Sequence, residues 1–405
     1  MIRESVIAAV AAKQKETIIA RNPGLPRLDK LRAEPPGFAL VVTGVRRCGK
    51  STLLEQRLRD EPDGAFYLNL ESTALSGLGE EDAGRLDAAV TAAGARTLFL
   101  DEVQQWPGWE KFVRTKLDDG LRVVVSGSNA SLLGRELGTK LTGRHVDCEL
   151  FPFDFGEYAK FTKRKPMPET TREYLRDGGF PPYLATGDER IPETLFADII
   201  DRDVAIRHGV RDIAALRRLS AWLVENVGCR MSAQRLRRPL GIPAASTILQ
   251  WCGFLADAYL FHFVPKFSAS VRVQLANPRK VYCIDTGLQC TLSATTAPDQ
   301  ARNFENLVFL ALRRQFRDLA YFDGDGHECD FVALRNKRPL DPVQATVAVN
   351  ADSEEREIAG ARAAMKALGR RHAWIVTVAD RDEFETPDGT IHIVPFHEFD
   401  AASIR

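Results

Sequence analysis

The sequence has 405 residues, and its 55 lysines and arginines are balanced by 55 aspartates and glutamates, so the formal net charge is zero. A chain of this length corresponds to two or three domains of ordinary size. Apolar residues make up 44% of it, which is enough for hydrophobic cores and too high for a disordered chain. Zero net charge excludes a protein that coats nucleic acid by bulk attraction, but it allows a local basic patch.

The cysteines and the apolar runs indicate the compartment. The seven cysteines are scattered, odd in number and without a CxxC pair, which favours a reduced, cytoplasmic protein over a disulfide framework. No apolar run has the length of a transmembrane helix, and the N-terminal residues do not resemble a signal peptide. We therefore expect a cytoplasmic location and no membrane partner.

Short apolar runs dominate the first part of the chain after an N-terminal helical pattern. They cover residues 38–42, 65–70, 97–100 and 122–125, and helical patterns separate them. Runs that are continuously apolar, rather than alternating, are typical of buried parallel strands. The sequence therefore predicts an α/β layer fold.

Residues 44–51 read GVRRCGKS and match the phosphate-loop pattern GxxxxGK[ST]. Glycines let backbone N–H groups surround a phosphate, the lysine neutralises the β and γ phosphates, and the serine hydroxyl binds Mg²⁺. An apolar strand precedes the loop and a helical run follows it, so a helix N-terminus adds positive potential. The pattern predicts ATP or GTP binding. The residues that we expect to bind the nucleotide are Gly44, Arg47, Cys48, Gly49, Lys50, Ser51 and Thr52.

Two later strands end in residues that suit the same site. Residues 97–102 read TLFLDE; we expect Asp101 to hold Mg²⁺ through water and Glu102 to act as the general base for the attacking water. Residues 123–129 read VVVSGSN, and Asn129 or Ser128 could orient that water. The alternative for this last pair is an ordinary helix N-cap, for which Ser and Asn are preferred.

The order of these motifs resembles the AAA superfamily of P-loop ATPases. It is most similar to a group of bacterial and archaeal AAA-type ATPases in which a winged helix and a restriction-endonuclease-like C-terminal domain of uncharacterised function follow the core. The resemblance implies that the nucleotide is ATP, with Mg²⁺. The motifs that carry it are GVRRCGKST (44–52), LFLDEVQQW (98–106), VVVSGSNASLL (123–133), LTGR (141–144), FPFDFGEY (151–158) and FENLVF (304–309).

The resemblance also implies a domain division. We expect an AAA-type parallel-sheet core of the P-loop NTPase class, followed by a winged helix and a small α/β restriction-endonuclease-like domain. The expected segments are an N-terminal helix and loop (1–35), the ATPase core (36–190), a helical lid with the winged helix (191–295) and the C-terminal domain (296–405), which we expect to be degenerate as an enzyme.

Arg144 precedes the strand-like residues 145–151. In AAA proteins an arginine at this place reaches the γ-phosphate in a neighbouring subunit, where it stabilises transition-state charge. The resemblance therefore implies that Arg144 is such a finger, with Arg135 as the second candidate, and that the protein is a homo-oligomer. The alternative is that Arg144 is a surface residue in a turn.

A basic segment follows at residues 202–238, which contain nine arginines and only three acidic residues. Helical patterns on both sides of a turn at 241–243, followed by two strand-like runs, predict a helix-turn-helix with a β-hairpin. The arginines could contact DNA phosphates. Because the second helix has few polar residues, non-specific or structure-specific binding is favoured over base readout. The alternative is a lid or protein-binding module whose arginines pair with acids elsewhere.

The C-terminal residues resemble a restriction-endonuclease core, with Glu305, Asp330 and Gln344 at the metal-binding positions. That chemistry also needs a lysine two residues after Gln344 to activate water, but Thr346 stands there. A lysine could come from elsewhere, yet we expect a degenerate domain without nuclease activity.

The sequence as a whole predicts an oligomeric ATPase that uses ATP to bind or remodel DNA in repair or genome maintenance. The alternative function is an ATP-dependent assembly switch that acts on a protein partner without DNA.

Overall fold

The chain divides into two units in the computed structural model. The structure describes residues 1–129, 143–293, 299–349 and 354–405. One unit comprises Met1–Phe151 with Asp257–Tyr259, and the other comprises Pro152–Ala256 with Leu260–Arg405. Arg135, and Leu141 and Thr142 of the predicted finger segment, lie outside the described residues.

The first unit is built on a parallel sheet. Its strands have the order β2-β3-β4-β1-β5, and every residue of β1 and β3 is buried. Burial on both faces explains why these strands are continuously apolar, so the predicted α/β core is confirmed. The strands are β1 (Ala39–Thr43), β2 (Ala65–Asn69), β3 (Thr97–Asp101), β4 (Arg122–Gly127) and β5 (His145–Glu149).

Helices cover this sheet, and the N-terminal helix is part of the same unit. Ile7 and Ala11 of that helix are buried in one cluster with strand residues such as Val41 and Leu98. The first 20 residues therefore share the core of the sheet. The described helices of this unit are α1 (Glu4–Ala20), α2 (Lys50–Asp60), α3 (Ala83–Ala92) and α4 (Trp109–Asp118).

The second unit begins with helices. Asp154 caps the first of them by accepting from the Glu157 amide, while the Glu157 side chain accepts from the Asp154 amide, which satisfies two donors at the helix start. A π-helical segment, Ile199–Ile206, continues the fourth helix. The helices up to the basic segment are α5 (Phe155–Thr162), α6 (Pro168–Asp177), α7 (Pro181–Thr186) and α8 (Arg190–Asp198).

A small sheet and four helices follow, and one of these helices lies between the two strands that were predicted to form a hairpin. The turn at Gly241 has a φ of 68°, a left-handed value that glycine adopts without steric cost. The sheet has the order β6-β8-β7 and is antiparallel. The elements are α9 (Ile213–Glu225), β6 (Arg230–Met231), α10 (Ala233–Leu240), α11 (Ala245–Asp257), β7 (Phe261–Val264), α12 (Val271–Ala276) and β8 (Arg279–Cys283).

The last part of the second unit is a mixed sheet with the order β13-β14-β12-β11-β10-β9. The first three strands in sequence are antiparallel, and the chain then crosses over through a helix so that β12 lies parallel to β11. The elements are α13 (Thr286–Leu292), α14 (Gln300–Gln315), β9 (Asp318–Gly324), β10 (His327–Arg335), β11 (Arg338–Ala345), α15 (Glu354–Leu368), β12 (His372–Thr377), β13 (Asp382–Thr386) and β14 (Gly389–Pro395).

Candidate nucleotide site and basic surface

The loop between β1 and α2 has the backbone that a phosphate cradle requires. Gly44 has a φ of 151° and Gly49 a φ of 106°, and Arg47 between them is also left-handed at 63°. A Cβ atom at Gly44 would lie 2.0 Å from the carbonyl oxygen of Leu150. Glycine is therefore required at position 44 both for its backbone angle and for this close approach.

Lys50 begins α2 and points back into the loop. Its Nζ atom donates to the carbonyl oxygens of Gly44 and Val45, each at 3.1 Å, and only 3% of the residue is exposed. Ser51 and Thr52 follow in the first turn of the same helix. The ammonium group and the helix N-terminus thus direct positive potential at the space enclosed by the loop.

Asp101 ends β3 and is fully buried. Its Oδ2 accepts from the Tyr67 hydroxyl at 2.8 Å and from the Asn69 side-chain amide at 3.3 Å, and its Oδ1 accepts from the Ser126 hydroxyl. These donors fix the carboxylate in one orientation. Tyr67, Asn69 and Ser126 were not predicted, although Asn69 and Ser126 also lie at or near the carboxyl ends of strands beside β3.

Glu102 lies next to the loop with a left-handed backbone, at a φ of 58°. Such a conformation is costly for a residue with a side chain and is common at functional sites. Its backbone amide donates to Ser126 Oγ at 3.1 Å, and its carboxylate accepts from the Gln104 side chain. Glu102 Oε1 is 4.0 Å from Lys50 Nζ. The structure therefore brings these two predicted site residues together.

The third predicted element lies between the other two. β4 pairs with β1 on one side and with β3 on the other, so its carboxyl end separates the loop from Asp101. Ser128 and Asn129 follow β4 and are both buried. Ser128 Oγ accepts from Gln104 at 3.3 Å, which links it to the side chain that also holds Glu102.

A buried arginine forms hydrogen bonds with the backbone of the loop. The guanidinium group of Arg27 donates to the carbonyl oxygens of Cys48 at 2.8 Å and Phe151 at 3.0 Å. Burial raises the pKa of the Cys48 thiol, whose Sγ lies 3.3 Å from the Leu150 carbonyl oxygen. The thiol is therefore a packing group. Arg27 was not predicted because it lies in a polar segment without a recognisable pattern.

Arg144 lies at the amino ends of the strands, opposite the glycine loop. It immediately precedes β5, whose first residue pairs with Ala39 at the amino end of β1, and its own carbonyl oxygen accepts from the Ala39 amide at 3.1 Å. Its guanidinium group contacts Asp118 at 2.8 Å. Because the phosphate loop follows the carboxyl end of β1, Arg144 is remote from the nucleotide site of its own chain. A role in a neighbouring subunit stays a prediction.

Oxygen ligands suitable for Mg²⁺ lie at the carboxyl ends of the strands, beside the glycine loop. The ion prefers carboxylate and hydroxyl oxygens together with substrate phosphates. The Asp101 carboxylate, held by three donors, and the Ser51 hydroxyl at the start of α2 are such ligands, so the residues fit the predicted cofactor.

The nine arginines of residues 202–238 divide into two groups. Four of them pair with carboxylates: Arg202 with Asp198, Arg207 with Asp203, Arg217 with Asp201, and Arg230 with Asp323 and Glu328. Arg218 donates to the Leu240 carbonyl oxygen at 3.1 Å. Within the described residues, Arg218 has no carboxylate partner, and the same is true of four further arginines: Arg211, Arg235, Arg237 and Arg238.

Three of those four arginines lie on α10. Arg235 and Arg238 are exposed and Arg237 is partly buried, while Leu236 and Leu240 face the interior. The following helix, α11, exposes Ser246, Leu249 and Gln250 but no cation. We call the exposed side of α10 the basic surface, defined by Arg235, Arg237 and Arg238.

The parallel sheet and the glycine loop of the first unit have the fold and motif of AAA-type P-loop ATPases. Residues 37–159 match the family model of the AAA domain, and residues 168–299 match that of a domain of unknown function (DUF8612). The predicted resemblance to this class of ATPases is thereby confirmed. No helix within the described ranges is long and apolar enough to cross a membrane.

Relatives of similar length exist. An uncharacterized protein of Methanocaldococcus jannaschii is 28% identical over 392 residues, which cover 89% of this chain and 88% of that protein. An uncharacterized protein of Haemophilus influenzae is 28% identical over 343 residues, which cover 79% of this chain and 85% of that protein. A solved structure, the Walker-type ATPase paby2304 of Pyrococcus abyssi, shares 17% identity with a TM-score of 0.47 and covers 68% of this chain and 99% of its own.

Proposed function

We propose that the protein hydrolyses ATP at the carboxyl ends of the strands of its parallel sheet. The observation that carries this proposal is the approach of Glu102 to Lys50, with the fixed Asp101 carboxylate beside them. Lys50 and the amides of residues 44–49 would bind the phosphates. Glu102 would accept the proton of the attacking water, and Asn129 would orient that water.

Mg²⁺ would neutralise charge on the phosphate oxygens when it is bound by Ser51 and, through water, by Asp101. The side chains around the two acids would position them for this reaction. Ser126 holds both acids, since its hydroxyl donates to Asp101 and accepts from the Glu102 amide. Gln104 holds the Glu102 carboxylate toward the loop. This support suits a site that must keep a base within reach of one water molecule.

We further propose that ATP use serves DNA binding through the basic surface, as a winged helix that reads phosphates rather than bases. The paired arginines are neutralised within the chain, so the local excess of charge is concentrated on α10. Exposed guanidinium groups without internal partners suit phosphate contacts. The absence of a cation on the exposed side of the described helix α11 argues against direct base readout.

Salt-dependent DNA binding tests this proposal. We expect Arg235→Ala combined with Arg238→Ala to weaken binding at low salt at least tenfold, and to lower the slope of the salt dependence by about one for each phosphate that the variant no longer binds. Arg172→Ala is the matched control, because Arg172 is an exposed arginine outside the basic segment. DNA should also stimulate ATP hydrolysis. Equal binding by the wild type and the double variant would refute the assignment of this surface.

A second function, an ATP-controlled assembly switch, has one observation in its favour. Helix α12, between β7 and β8, exposes Val271 at 66% and Leu275 at 69%, and exposed apolar side chains of this kind suit a protein partner. The DNA titration separates the two functions. The switch predicts no DNA binding at low salt and a change of assembly mass when ATP is added.

A further inference from the structure

A buried lysine occupies the centre of the acidic cluster in the C-terminal part of the chain. Lys280 Nζ lies 2.9 Å from Glu305 Oε1, 2.8 Å from Glu328 Oε1 and 2.9 Å from Asp330 Oδ1. Only 4% of its side chain is exposed. The lysine comes from β8, whereas the three acids come from α14 and β10.

The remaining hydrogen bonds of the cluster leave little room for a metal ion. Tyr282 donates its hydroxyl to the same Glu305 oxygen at 2.6 Å, and Asp330 Oδ2 accepts from the Ala345 amide at 3.1 Å. Gln344 Oε1 accepts from the Asp330 amide at 3.0 Å, and its side-chain nitrogen donates to Glu357. The residues expected at metal-binding positions are therefore satisfied by protein donors.

Thr346, which stands where a catalytic lysine would be expected, is also engaged elsewhere. Its hydroxyl donates to the Ala348 carbonyl oxygen at 3.1 Å. Among the described residues, no group of three or more His, Cys, Asp and Glu side chains has an arrangement that could hold a metal ion. The donor set thus fits an ammonium group and does not fit the divalent cation that this kind of nuclease fold implies.

Two further cations extend the same network. Arg230 contacts Asp323 at 2.7 Å and Glu328 at 2.8 Å, and Lys266 contacts Asp323 at 3.7 Å. Arg230 lies on β6, Lys266 follows β7 and Lys280 lies on β8. Each strand of the small sheet is therefore associated with a cation that pairs with acids of β9 or β10. Burial lowers the pKa of Lys280, but the carboxylates, Asp330 foremost, outweigh it and raise that pKa well above its usual value.

We propose that the Lys280 ammonium is the resident cation of this cluster and takes the place of a divalent metal ion. The acids then fasten β8, and with it the small sheet, to the C-terminal sheet. The C-terminal part consequently has a structural role and no metal-dependent nuclease activity. This inference is independent of the proposed ATPase function.

Removal of the lysine should uncover a metal site. The experiment titrates Mn²⁺ into the full chain without nucleotide, and follows both binding and the unfolding temperature for wild type, Lys280→Met and Lys280→Gln. We expect each lysine variant to unfold at a lower temperature, to gain at least tenfold in Mn²⁺ affinity, and to recover stability when Mn²⁺ is added. Addition of Glu305→Gln to Lys280→Met should abolish the gain. Lys111→Met is the control, because its side chain is 76% exposed and far in sequence from the cluster.

Three results would overturn the proposal. One is a wild-type Mn²⁺ site that Glu305→Gln removes, which can be measured even if neither lysine variant folds. Another is a folded Lys280→Met or Lys280→Gln variant that binds Mn²⁺ no better than the wild type. The third is Mg²⁺-dependent DNA cleavage by the wild type that is lost in Lys280→Met, which would make Lys280 a catalytic residue.

Discussion

Lys50 Nζ and Glu102 Oε1 lie 4.0 Å apart, although the two residues follow strands, β1 and β3, that are not adjacent in the sheet. The strand between them, β4, supplies the serine that fixes the backbone of Glu102. Phosphates in the loop would offer Lys50 a second anionic partner. Nucleotide binding is therefore expected to weaken the hold of Lys50 on the carboxylate and leave Glu102 available to a water molecule.

Glu102→Gln is the direct test of the general base. The variant should bind ATP with nearly unchanged affinity, because Lys50 and the loop are intact, and should lose about 10²–10⁴-fold in turnover, the usual contribution of a general base. Single-turnover hydrolysis and nucleotide binding measured on the same sample separate the two effects.

Glu110→Gln serves as the control for Glu102→Gln. Glu110 is a buried glutamate within α4, whereas Glu102 is partly buried and follows the end of a strand. We expect it to affect stability more than turnover. Normal hydrolysis by Glu102→Gln would show that another group accepts the proton.

The elements of the nucleotide site could be predicted because their signals are local. The strand, glycine loop and helix around Lys50 are contiguous, and the apolar run before Asp101 marks a buried strand end without further information. The positions of Tyr67, Asn69 and Ser126 around Asp101 depend on strand order, which no local pattern specifies.

The ion-pair partners of the basic residues could not be predicted from the sequence. The local charge of residues 202–238 predicted one basic surface, but Arg230 is neutralised by Asp323 and Glu328, acids that enter from a sheet formed much later in the chain. Lys280 illustrates the same point. The nuclease pattern has a lysine two residues after Gln344, where this sequence has Thr346. The cluster instead receives a lysine from β8, and only tertiary packing brings these segments together.

Ser126→Ala tests the support of both acids. The change removes the hydroxyl that donates to Asp101 and accepts from the Glu102 amide, and it leaves the buried Asp101 carboxylate with one donor fewer. We expect a loss of about 1–3 kcal/mol in the free energy of unfolding, and a several-fold rise in the Mg²⁺ concentration that half-saturates ATP hydrolysis. Urea unfolding and Mg²⁺ titration provide the two measurements.

Ser220→Ala is the matched control for Ser126→Ala. Ser220 is equally buried, but its hydroxyl donates only to the Leu216 carbonyl oxygen of its own helix at 3.0 Å. It should leave the Mg²⁺ dependence unchanged. If Ser126→Ala lowers stability but not the Mg²⁺ requirement, the serine has a structural role alone.

Arg144 can be tested by mixing subunits. Arg144→Ala should lose about 10³-fold or more in turnover if the guanidinium group stabilises the transition state in a neighbouring subunit. Mixing it with Glu102→Gln should then restore part of the activity, because some interfaces combine an intact base with an intact arginine. A variant that loses activity and is not rescued, or that remains fully active, contradicts action between subunits. Asp118→Ala, which removes the partner of Arg144 within the chain, should leave turnover largely intact.

The last prediction concerns pH and a buried carboxylate of the second unit. Asp285 caps α13, where its oxygens accept from the Leu288 amide at 2.8 Å and the Gly179 amide at 2.6 Å. Burial raises the pKa of Asp285 to about 6, above the value of roughly 3.9 for an unfolded chain. The folded state therefore binds more protons between these values, so this residue stabilises the fold most at low pH, and its contribution declines as the pH rises through about 6.

Asp285→Asn measures that contribution. The difference between these two pKa values corresponds to about 3 kcal/mol in total, of which about 2 kcal/mol falls between pH 4 and pH 7. The variant should lack this part of the pH dependence. It should also be less stable than the wild type, because an amide offers one acceptor oxygen where the carboxylate offers two to the two backbone donors. Asp318→Asn, at an exposed position on β9, should reproduce the wild-type profile. Parallel pH profiles for the wild type and Asp285→Asn from urea unfolding would show that Asp285 keeps an ordinary pKa, and that its two backbone hydrogen bonds compensate for burial.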